Sequence, residues 1–164
     1  MANNEWGTPS KYLESARVVM DGIDLDPASN DEAQKRVKAN KYYTEDTNGL
    51  IQDWHGNVWL NPPYGVGLAK PFVEKLISSY QAGNVEQAIV LTNNVTDTAW
   101  FNETLGAYAS ALCFPSPRIQ FETPPNTTRS SNSKGQVFSY IGLDPARFLS
   151  EFAQFGLITL PVRL

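Results

Sequence analysis

The sequence contains few of the residues that disulfides and metal sites require. It has 1 cysteine, Cys113, and 1 histidine, His55, among 164 residues. A single thiol excludes a disulfide within the chain, and neither a cysteine-based zinc site nor a histidine cluster can be assembled. Cys113 stands in the apolar stretch at residues 111–114, which predicts a buried thiol. We therefore expect no structural metal.

Long apolar runs and an excess of basic residues are also absent. No run approaches the roughly 20 residues of a membrane-spanning helix, and the polar start Met-Ala-Asn-Asn-Glu does not resemble a signal peptide. We therefore expect a cytoplasmic protein. The formal charge of −4 and the isoelectric point near 5.0 disfavour a protein that coats DNA regardless of sequence. They do not exclude a nucleic-acid enzyme whose positive charge is confined to one face.

The composition is that of a globular protein. Hydrophobic residues make up 41% of the chain and aromatic residues 12%, enough for a well-formed core. The length fits one domain, and no repeat or linker divides it. We predict a single domain over residues 1–164.

Helix and strand signals alternate along the chain. Thr8-Pro9 predicts an N-cap followed by proline at the first helical position, and Ser29 has capping-box spacing for a basic helix to about residue 40. Thr96 is expected to cap a later helix. This alternation predicts an α/β sheet with helices on both faces and late strands close enough for antiparallel pairing. The expected strands are residues 23–26, 58–60, 88–91, 111–114, 137–143 and 157–160; further helices are expected around residues 72–80, 100–105 and 148–155.

The most informative segment is residues 58–64, Val-Trp-Leu-Asn-Pro-Pro-Tyr. Its apolar start suits a buried strand, and neither proline can continue the hydrogen-bond ladder. The chain must leave the sheet after Leu60 and present Asn61, two prolines and Tyr64 at the carboxyl end, where open α/β sheets bind ligands. An amide acceptor, a preset carbonyl and a stacking ring suit a flat aromatic amine. The alternative is an ordinary proline turn after a strand.

These groups match the chemistry of an exocyclic amine such as that of adenine. The lone pair of this nitrogen is delocalised into the ring, so two acceptors that bind its hydrogens make the nitrogen tetrahedral and more nucleophilic. The side-chain oxygen of Asn61 and the carbonyl of Pro62 can supply them, and Tyr64 can stack on the ring. A paired base cannot enter such a pocket, so the chemistry requires base flipping.

The chain resembles a known family at these residues. Asn-Pro-Pro-Tyr is the signature of S-adenosylmethionine-dependent amino-methyltransferases, and the whole chain is similar to the small bacteriophage Dam-type DNA adenine-N6 methyltransferases. The resemblance implies an abbreviated Rossmann-like class I methyltransferase sheet. It is carried by residues 6–9 (Trp-Gly-Thr-Pro), 23–29 (Ile-Asp-Leu-Asp-Pro-Ala-Ser), 58–64, 98–101 (Thr-Ala-Trp-Phe) and 118–121 (Arg-Ile-Gln-Phe).

The resemblance also implies roles for individual residues. The adenine-binding and activating residues are Asn61, Pro62, Pro63 and Tyr64. The contacts to S-adenosylmethionine are Trp6, Thr8, Pro9, Asp24, Asp26, Pro27, Ala28 and Asp53.

Local alternatives exist for several of the cofactor residues. Thr8-Pro9 and Asp26-Pro27 are equally suited to capping helices, and a turn role is expected more strongly for Asp53. One departure from the methyltransferase pattern stands out. The glycine fingerprint is absent, and residues 26–29 read Asp-Pro-Ala-Ser where glycines are usual.

Positive charge for DNA is expected from Arg118, Arg129 and Lys134, which are our candidates for phosphate contacts. Two of them lie in or beside residues 122–135, a polar stretch rich in proline, threonine and serine. A loop of this length inside a compact domain is typically functional or disordered. We expect it to order on DNA; a plain surface loop is the alternative.

Two further functions remain open at this point. A related enzyme transfers methyl to cytosine N4 or to a protein glutamine amide, although an asparagine at the first motif position favours adenine. A catalytically silent nucleic-acid-binding module of the same fold has no need of the intact Asn-Pro-Pro-Tyr set. The leading hypothesis is a DNA adenine-N6 methyltransferase whose partners are DNA and S-adenosylmethionine.

Overall fold

One mixed sheet organises the computed structural model, which describes residues 7–123 and 132–164. Within these residues the sheet has 7 strands: β1 (Leu25–Asp26), β2 (Lys41–Tyr42), β3 (Gly56–Leu60), β4 (Val85–Asn93), β5 (Ala111–Pro115), β6 (Gln136–Ile141) and β7 (Gly156–Thr159). Their order across the sheet is β2-β1-β3-β4-β6-β5-β7.

The two halves of the sheet differ in strand direction. β2, β1, β3 and β4 run parallel, with Leu25 opposite Val58 and Leu60 opposite Val90. β6 is antiparallel to both β4 and β5, and β7 is antiparallel to β5. Parallel neighbours need crossover connections, which helices supply, whereas antiparallel neighbours do not. Because β1, β3 and β4 are parallel neighbours, their carboxyl ends lie side by side along one edge of the sheet, hereafter the carboxyl edge.

Helices cover both faces because side chains alternate along each strand. Trp59 of β3 lies in the core on one face, whereas Val58 and Leu60 lie in the core on the other. The helices are α1 (Ser10–Met20), α2 (Asp31–Val37), α3 (Ala69–Gln81), α4 (Ala99–Glu103), α5 (Leu105–Tyr108) and α6 (Ala146–Phe152). Residues of α1, α2 and α6 join the first core, and those of α3, α4 and α5 join the second.

The α/β sheet with helices on both faces and antiparallel late strands is confirmed. The predicted burial of Cys113 is also confirmed; its thiol lies 3.5 Å from the Phe152 carbonyl. Among the residues that the structure describes, no helix is long and apolar enough to span a bilayer.

Three predicted helix caps are wrong. The N-cap of α1 is Pro9, and no side chain caps that helix. Asn30, not Ser29, caps α2 because its side-chain oxygen accepts a hydrogen bond from the Ala33 N–H at 2.8 Å. The predicted cap Thr96 is likewise replaced by Thr98, which caps α4.

The predicted end of α2 near residue 40 is also wrong. The helix ends at Val37 because Lys38 adopts the left-handed conformation, with φ of 51°. This conformation stops the helical hydrogen-bond pattern.

Candidate active site

The chain leaves the sheet where the motif predicts. The pairing of β3 with β4 ends at Leu60, and Asn61 and the two prolines follow outside the strand. Proline has no N–H to donate, so the ladder cannot extend through this segment. Pro62 is buried, whereas Asn61, Pro63 and Tyr64 are half-buried. The motif therefore stands at the carboxyl edge, partly accessible and outside the sheet's hydrogen bonding.

The Asn61 carboxamide is held at both ends. Its Nδ2 donates to the Thr8 hydroxyl at 3.3 Å, and its Oδ1 accepts from the Tyr64 hydroxyl at 2.7 Å. The same phenol lies 3.3 Å from the Leu91 carbonyl at the end of β4. An amide oxygen has two lone pairs, so Oδ1 can accept one further hydrogen bond.

The Tyr64 phenol stays protonated. Burial raises the pKa of this hydroxyl well above its ordinary value, because the charged phenolate is poorly solvated there. The hydroxyl is therefore a hydrogen-bond donor throughout the neutral pH range. The Tyr64 ring lies 6.1 Å from the Phe121 ring, centroid to centroid, with an interplanar angle of 59°. The Phe121 ring thus stands beside Tyr64, whose hydroxyl contacts the carboxamide.

Thr8 contacts the motif instead of capping a helix. It is 5% exposed, and its hydroxyl accepts from Asn61. The preceding residue, Gly7, pairs with Glu122 through two backbone hydrogen bonds of 2.8 Å each. Pro9, the N-cap of α1, follows directly. The structure thereby brings Thr8 to Asn61, and Pro9 is the next residue of the chain.

Asp26 ends β1, the parallel neighbour of β3, and so lies at the carboxyl edge. Its carboxyl group is buried, and burial raises its pKa to about 7. Hydrogen bonds from Ser29, from the Ala28 N–H and from Gln34 oppose that rise, the last at 2.9 Å between Gln34 Nε2 and Asp26 Oδ2. The group thus changes charge near neutral pH, and it joins the end of β1 to α2.

Pro27 and Ala28 form the turn after Asp26. A glycine does approach this turn closely, although not one of a glycine fingerprint. A methyl group on Gly49 would lie 2.0 Å from the Pro27 carbonyl oxygen. The close backbone approach comes from the loop that leads to β3, a contact that spacing along the chain did not reveal.

Asp24 and Asp53 are not brought together with the motif. Asp24 Oδ2 accepts from the Asn57 N–H at 2.8 Å, and Oδ1 accepts from Asn40 Nδ2 at 3.1 Å. Asn57 stands near the start of β3, at the edge opposite Asn61. The side chain of Asp53 is exposed, and its carbonyl accepts from the Tyr43 hydroxyl at 3.0 Å.

Two predicted site residues, Trp6 and Arg129, lie outside the described residues. Of the candidate phosphate contacts, Arg118 and Lys134 are both exposed. They come from neighbouring segments, because Asn132 Nδ2 donates to the Ile119 carbonyl at 3.0 Å. The Lys134 N–H in turn donates to Asn132 Oδ1 at 3.1 Å. Gln136, which follows, pairs with Asn93 at the end of β4, so both cations stand near the carboxyl edge.

Sequence reasoning missed three residues around the motif. The sequence indicates Phe121 only as the last residue of the family-like stretch 118–121, and Glu122 only as the first residue of the polar stretch 122–135. Arg36 falls in the predicted basic helix after Ser29, yet its guanidinium forms a 2.7 Å ion pair with Glu122. The two residues are 86 positions apart, so no local pattern links them.

Comparison with known proteins identifies a family for this chain. A family model described as DNA N-6-adenine-methyltransferase (Dam) matches residues 1–146. The matched residues include the Asn-Pro-Pro-Tyr motif, Thr8, and the turn after β1. Most of α6 and all of β7 lie beyond the match, although β7 pairs with β5 in the same sheet. No curated protein matches the chain.

Proposed function

The chain belongs to the DNA N-6-adenine-methyltransferase (Dam) family, and from this premise we propose that Asn61, Pro62, Pro63 and Tyr64 bind and activate the target adenine. As a member of that family it is an enzyme that methylates adenine N6 in DNA. The observation that carries the residue assignment is the Asn61 carboxamide. It stands outside the sheet, held by Thr8 and Tyr64, with one oxygen lone pair left for a ligand.

In this proposal Asn61 Oδ1 and the Pro62 carbonyl accept the two hydrogens of the adenine amine. Binding both hydrogens draws the nitrogen toward tetrahedral geometry and returns the lone pair from the ring. The lone pair would then attack the methyl carbon of a sulfonium donor as its carbon–sulfur bond breaks, a neutral thioether would leave, and the nitrogen would lose one proton to solvent. No general base is needed before attack, which suits an edge where the Tyr64 phenol remains protonated.

The base must leave the helix to reach this edge. We propose that it lies against Tyr64 and Phe121, whose ring centroids are 6.1 Å apart, since the Tyr64 hydroxyl also contacts the Asn61 carboxamide. Stacking on an aromatic ring contributes about 1–3 kcal/mol per base and suits any planar ring. The selectivity for an amine would come from Asn61 and Pro62, since aromatic faces do not distinguish bases.

We further propose S-adenosylmethionine as the methyl donor. The groups at the carboxyl ends of β1 and β3 fit it: a buried acid, a hydroxyl and turn backbone suit an ammonium group and ribose hydroxyls. Asp26, Pro27, Ala28, Thr8 and Pro9 would hold the cofactor, which supplies an activated methyl group when bound. Trp6 and Asp53 remain candidate contacts on the resemblance alone, and Asp24, at the opposite edge, bonds to the start of β3 instead.

DNA would approach the carboxyl edge, where Arg118 and Lys134 supply local positive charge to a chain whose net charge is −4. Arg129 is proposed as a third phosphate contact on sequence grounds. Such contacts orient the duplex without reading its bases. The likeness to bacteriophage enzymes supports a phage origin, and a DNA substrate in a bacterial host supports action in the host cytoplasm.

The test is mass spectrometry of nucleosides from DNA incubated with the protein and S-adenosylmethionine. We expect N6-methyladenine with the wild type and none above background with Asn61→Ala. The matched control is Asn84→Ala, the same change at an exposed turn before β4 and at the opposite edge of the sheet. N4-methylcytosine as the sole product, or methylglutamine in added protein, would replace the adenine assignment.

A further inference from the structure

Two chain segments meet over the catalytic motif. Gly7 and Glu122 exchange two backbone hydrogen bonds, each of 2.8 Å. Their chain neighbours contact the motif: Thr8 accepts from Asn61, and the Phe121 ring lies beside the Tyr64 ring. We call residues 7–8 and 121–122 the clamp. Its geometry determines both the hydroxyl that holds the Asn61 carboxamide and the ring that faces Tyr64.

Arg36 crosses the clamp from α2. Its Nη1 lies 2.7 Å from Glu122 Oε2, and its guanidinium packs against Gly7. A methyl group on Gly7 would lie 1.6 Å from Arg36 Nη2, so only glycine permits this approach. The Arg36 side chain is 20% exposed, and its Nε is buried without a hydrogen-bond partner. One cation therefore touches both strands of the clamp at the point where they pair.

The helix that carries Arg36 is itself fixed to the sheet. The Arg17 guanidinium of α1 donates to the carbonyls of Arg36 and Val37 at the end of α2. Gln34, one turn earlier, donates to Asp26 at 2.9 Å. α2 is thereby joined to α1 and to the end of β1, so Arg36 projects from an anchored element.

We propose that Arg36 is a positioning residue for methyl transfer: paired with Glu122 and packed on Gly7, it fastens the clamp and so fixes Asn61 and Tyr64 for the adenine amine. The inference rests on the proposed function of the motif. A purely stabilising role fits the ion pair less well, because the Glu122 side chain is 50% exposed and such pairs contribute little to folding. The loss of a positioned contact, by contrast, affects the rate strongly.

The first experiment breaks the clamp in two independent ways. Arg36→Ala removes the cation, and Gly7→Ala displaces the end of a flexible side chain while leaving Arg36 in the sequence. We expect each to lower kcat by about tenfold or more, and by a larger factor than it raises the KM for S-adenosylmethionine, because Thr8 is the one clamp residue among the proposed cofactor contacts. The midpoint of thermal unfolding should fall by about 4 °C or less. Lys35→Ala, at the neighbouring exposed cation paired with Glu32, should leave all of these parameters unchanged.

Charge exchange separates positioning from mere folding. Arg36→Glu should lower kcat at least as much as Arg36→Ala, and the double variant Arg36→Glu/Glu122→Arg should recover most of the loss. Lys35→Glu carries the same charge change beside it and controls for weakened attraction to DNA. An unchanged kcat in Arg36→Ala or in Gly7→Ala would overturn the inference. So would a double variant no more active than Arg36→Glu.

Failure of this inference is distinguishable from failure of the proposed function. If Asn61→Ala abolishes methylation while Arg36→Ala and Gly7→Ala remain fully active, only the role of the clamp is wrong. If Asn61→Ala remains active, the assignment of the motif is wrong, whatever Arg36 does.

Discussion

Two asparagines, one near the start of β3 and one just after its end, show how the two edges of the sheet differ. Asn57, near the start of β3, donates from Nδ2 to the Met20 carbonyl at 2.7 Å and accepts at Oδ1 from Gln87 at 3.2 Å. Asn61, four positions later, is held by two hydroxyl groups, those of Thr8 and Tyr64. The partners of Asn57 have fixed polarity, whereas hydroxyls can rotate and can donate or accept.

The surroundings reinforce this contrast. The Asn57 N–H also donates to Asp24, and Gln87 accepts from the Tyr140 hydroxyl at 2.9 Å. The edge at which β3 begins, hereafter the amino edge, is therefore a closed network of side chains. At the carboxyl edge Asn61 has left the sheet; it is half-buried, as Asn57 is, so the two residues differ in their partners and not in their exposure. The same residue type therefore locks strands together at one edge and is available for chemistry at the other.

The largest expected effect is on activity at the carboxyl edge. Asn61→Ala should lower kcat by roughly a thousandfold, because one acceptor for the reacting nitrogen is lost. Binding of S-adenosylmethionine, measured by calorimetry, should stay within about threefold, since the proposed cofactor contacts lie on other residues. Loss of catalysis and cofactor affinity together would contradict the division of roles.

Asp26, the last residue of β1, should make the stability of the folded protein depend on pH. Its pKa of about 7 lies above the ordinary 3.8, so between these values the folded protein holds a proton that the unfolded chain releases. Stability should therefore fall as pH rises through this window, by about 2–3 kcal/mol from about pH 5 to about pH 8. Urea unfolding of Asp26→Asn should show a correspondingly flatter pH profile. A wild-type profile equally flat would refute the raised pKa.

A substitution at the amino edge should lower stability and leave kcat nearly normal, the reverse of the effect expected at the motif. Asn57→Ala removes a donor to Met20 and an acceptor for Gln87, which should lower the free energy of unfolding by about 1–3 kcal/mol. The folded fraction should keep a near-normal kcat, because no reacting group is changed. Urea unfolding together with active-site-normalised rates checks both points. A catalytic defect as large as that of Asn61→Ala would erase the contrast between the edges.

Tyr64→Phe tests whether the hydroxyl matters beyond the ring. The variant keeps the aromatic face but leaves Asn61 Oδ1 without its 2.7 Å donor. We expect kcat to fall about tenfold, which corresponds to about 1.4 kcal/mol, the scale of one hydrogen bond. Single-turnover methylation rates measure this effect. A rate equal to that of the wild type would mean that the ring alone is required.

The smallest effect is expected at the exposed cations. Arg118→Ala should weaken DNA binding uniformly across sequences and reduce the slope of log affinity against log salt by about one. The matched control is Arg147→Ala, an exposed arginine on α6 whose ion pair is with Asp21. Fluorescence anisotropy over a range of salt concentrations distinguishes the two variants.

The sequence predicts best where one residue type excludes alternatives. Two successive prolines cannot stay in a sheet, so the exit after Leu60 and the place of Asn61 at a strand end follow from residues 58–64 alone. Apolar residues at helical spacing likewise predict the helices, and short apolar runs predict most of the strands, but not β2. These features depend on local backbone geometry, which the residues of a short segment determine by themselves.

Contacts between distant segments were not predictable in this way. Thr8 followed by proline has the pattern of a helix cap, but its hydroxyl instead accepts a hydrogen bond from Asn61, 53 positions away. Asp24 and Asp26 look equivalent in an Asp-Leu-Asp pattern, yet the strand begins only at Leu25, so the first acid faces the opposite edge. Arg36 and Glu122 carry no local signal of their pairing. Tertiary packing decided each of these cases.

The burial of Cys113 offers an experimental handle. Its surroundings raise the pKa of the thiol to about 12, so almost no reactive thiolate exists at neutral pH. A cysteine introduced on the surface would then be the sole target for maleimide dyes, without any need to replace the native thiol. A fluorophore or spin label could thus be attached near the carboxyl edge in an otherwise unaltered enzyme, making its motions during DNA engagement directly observable.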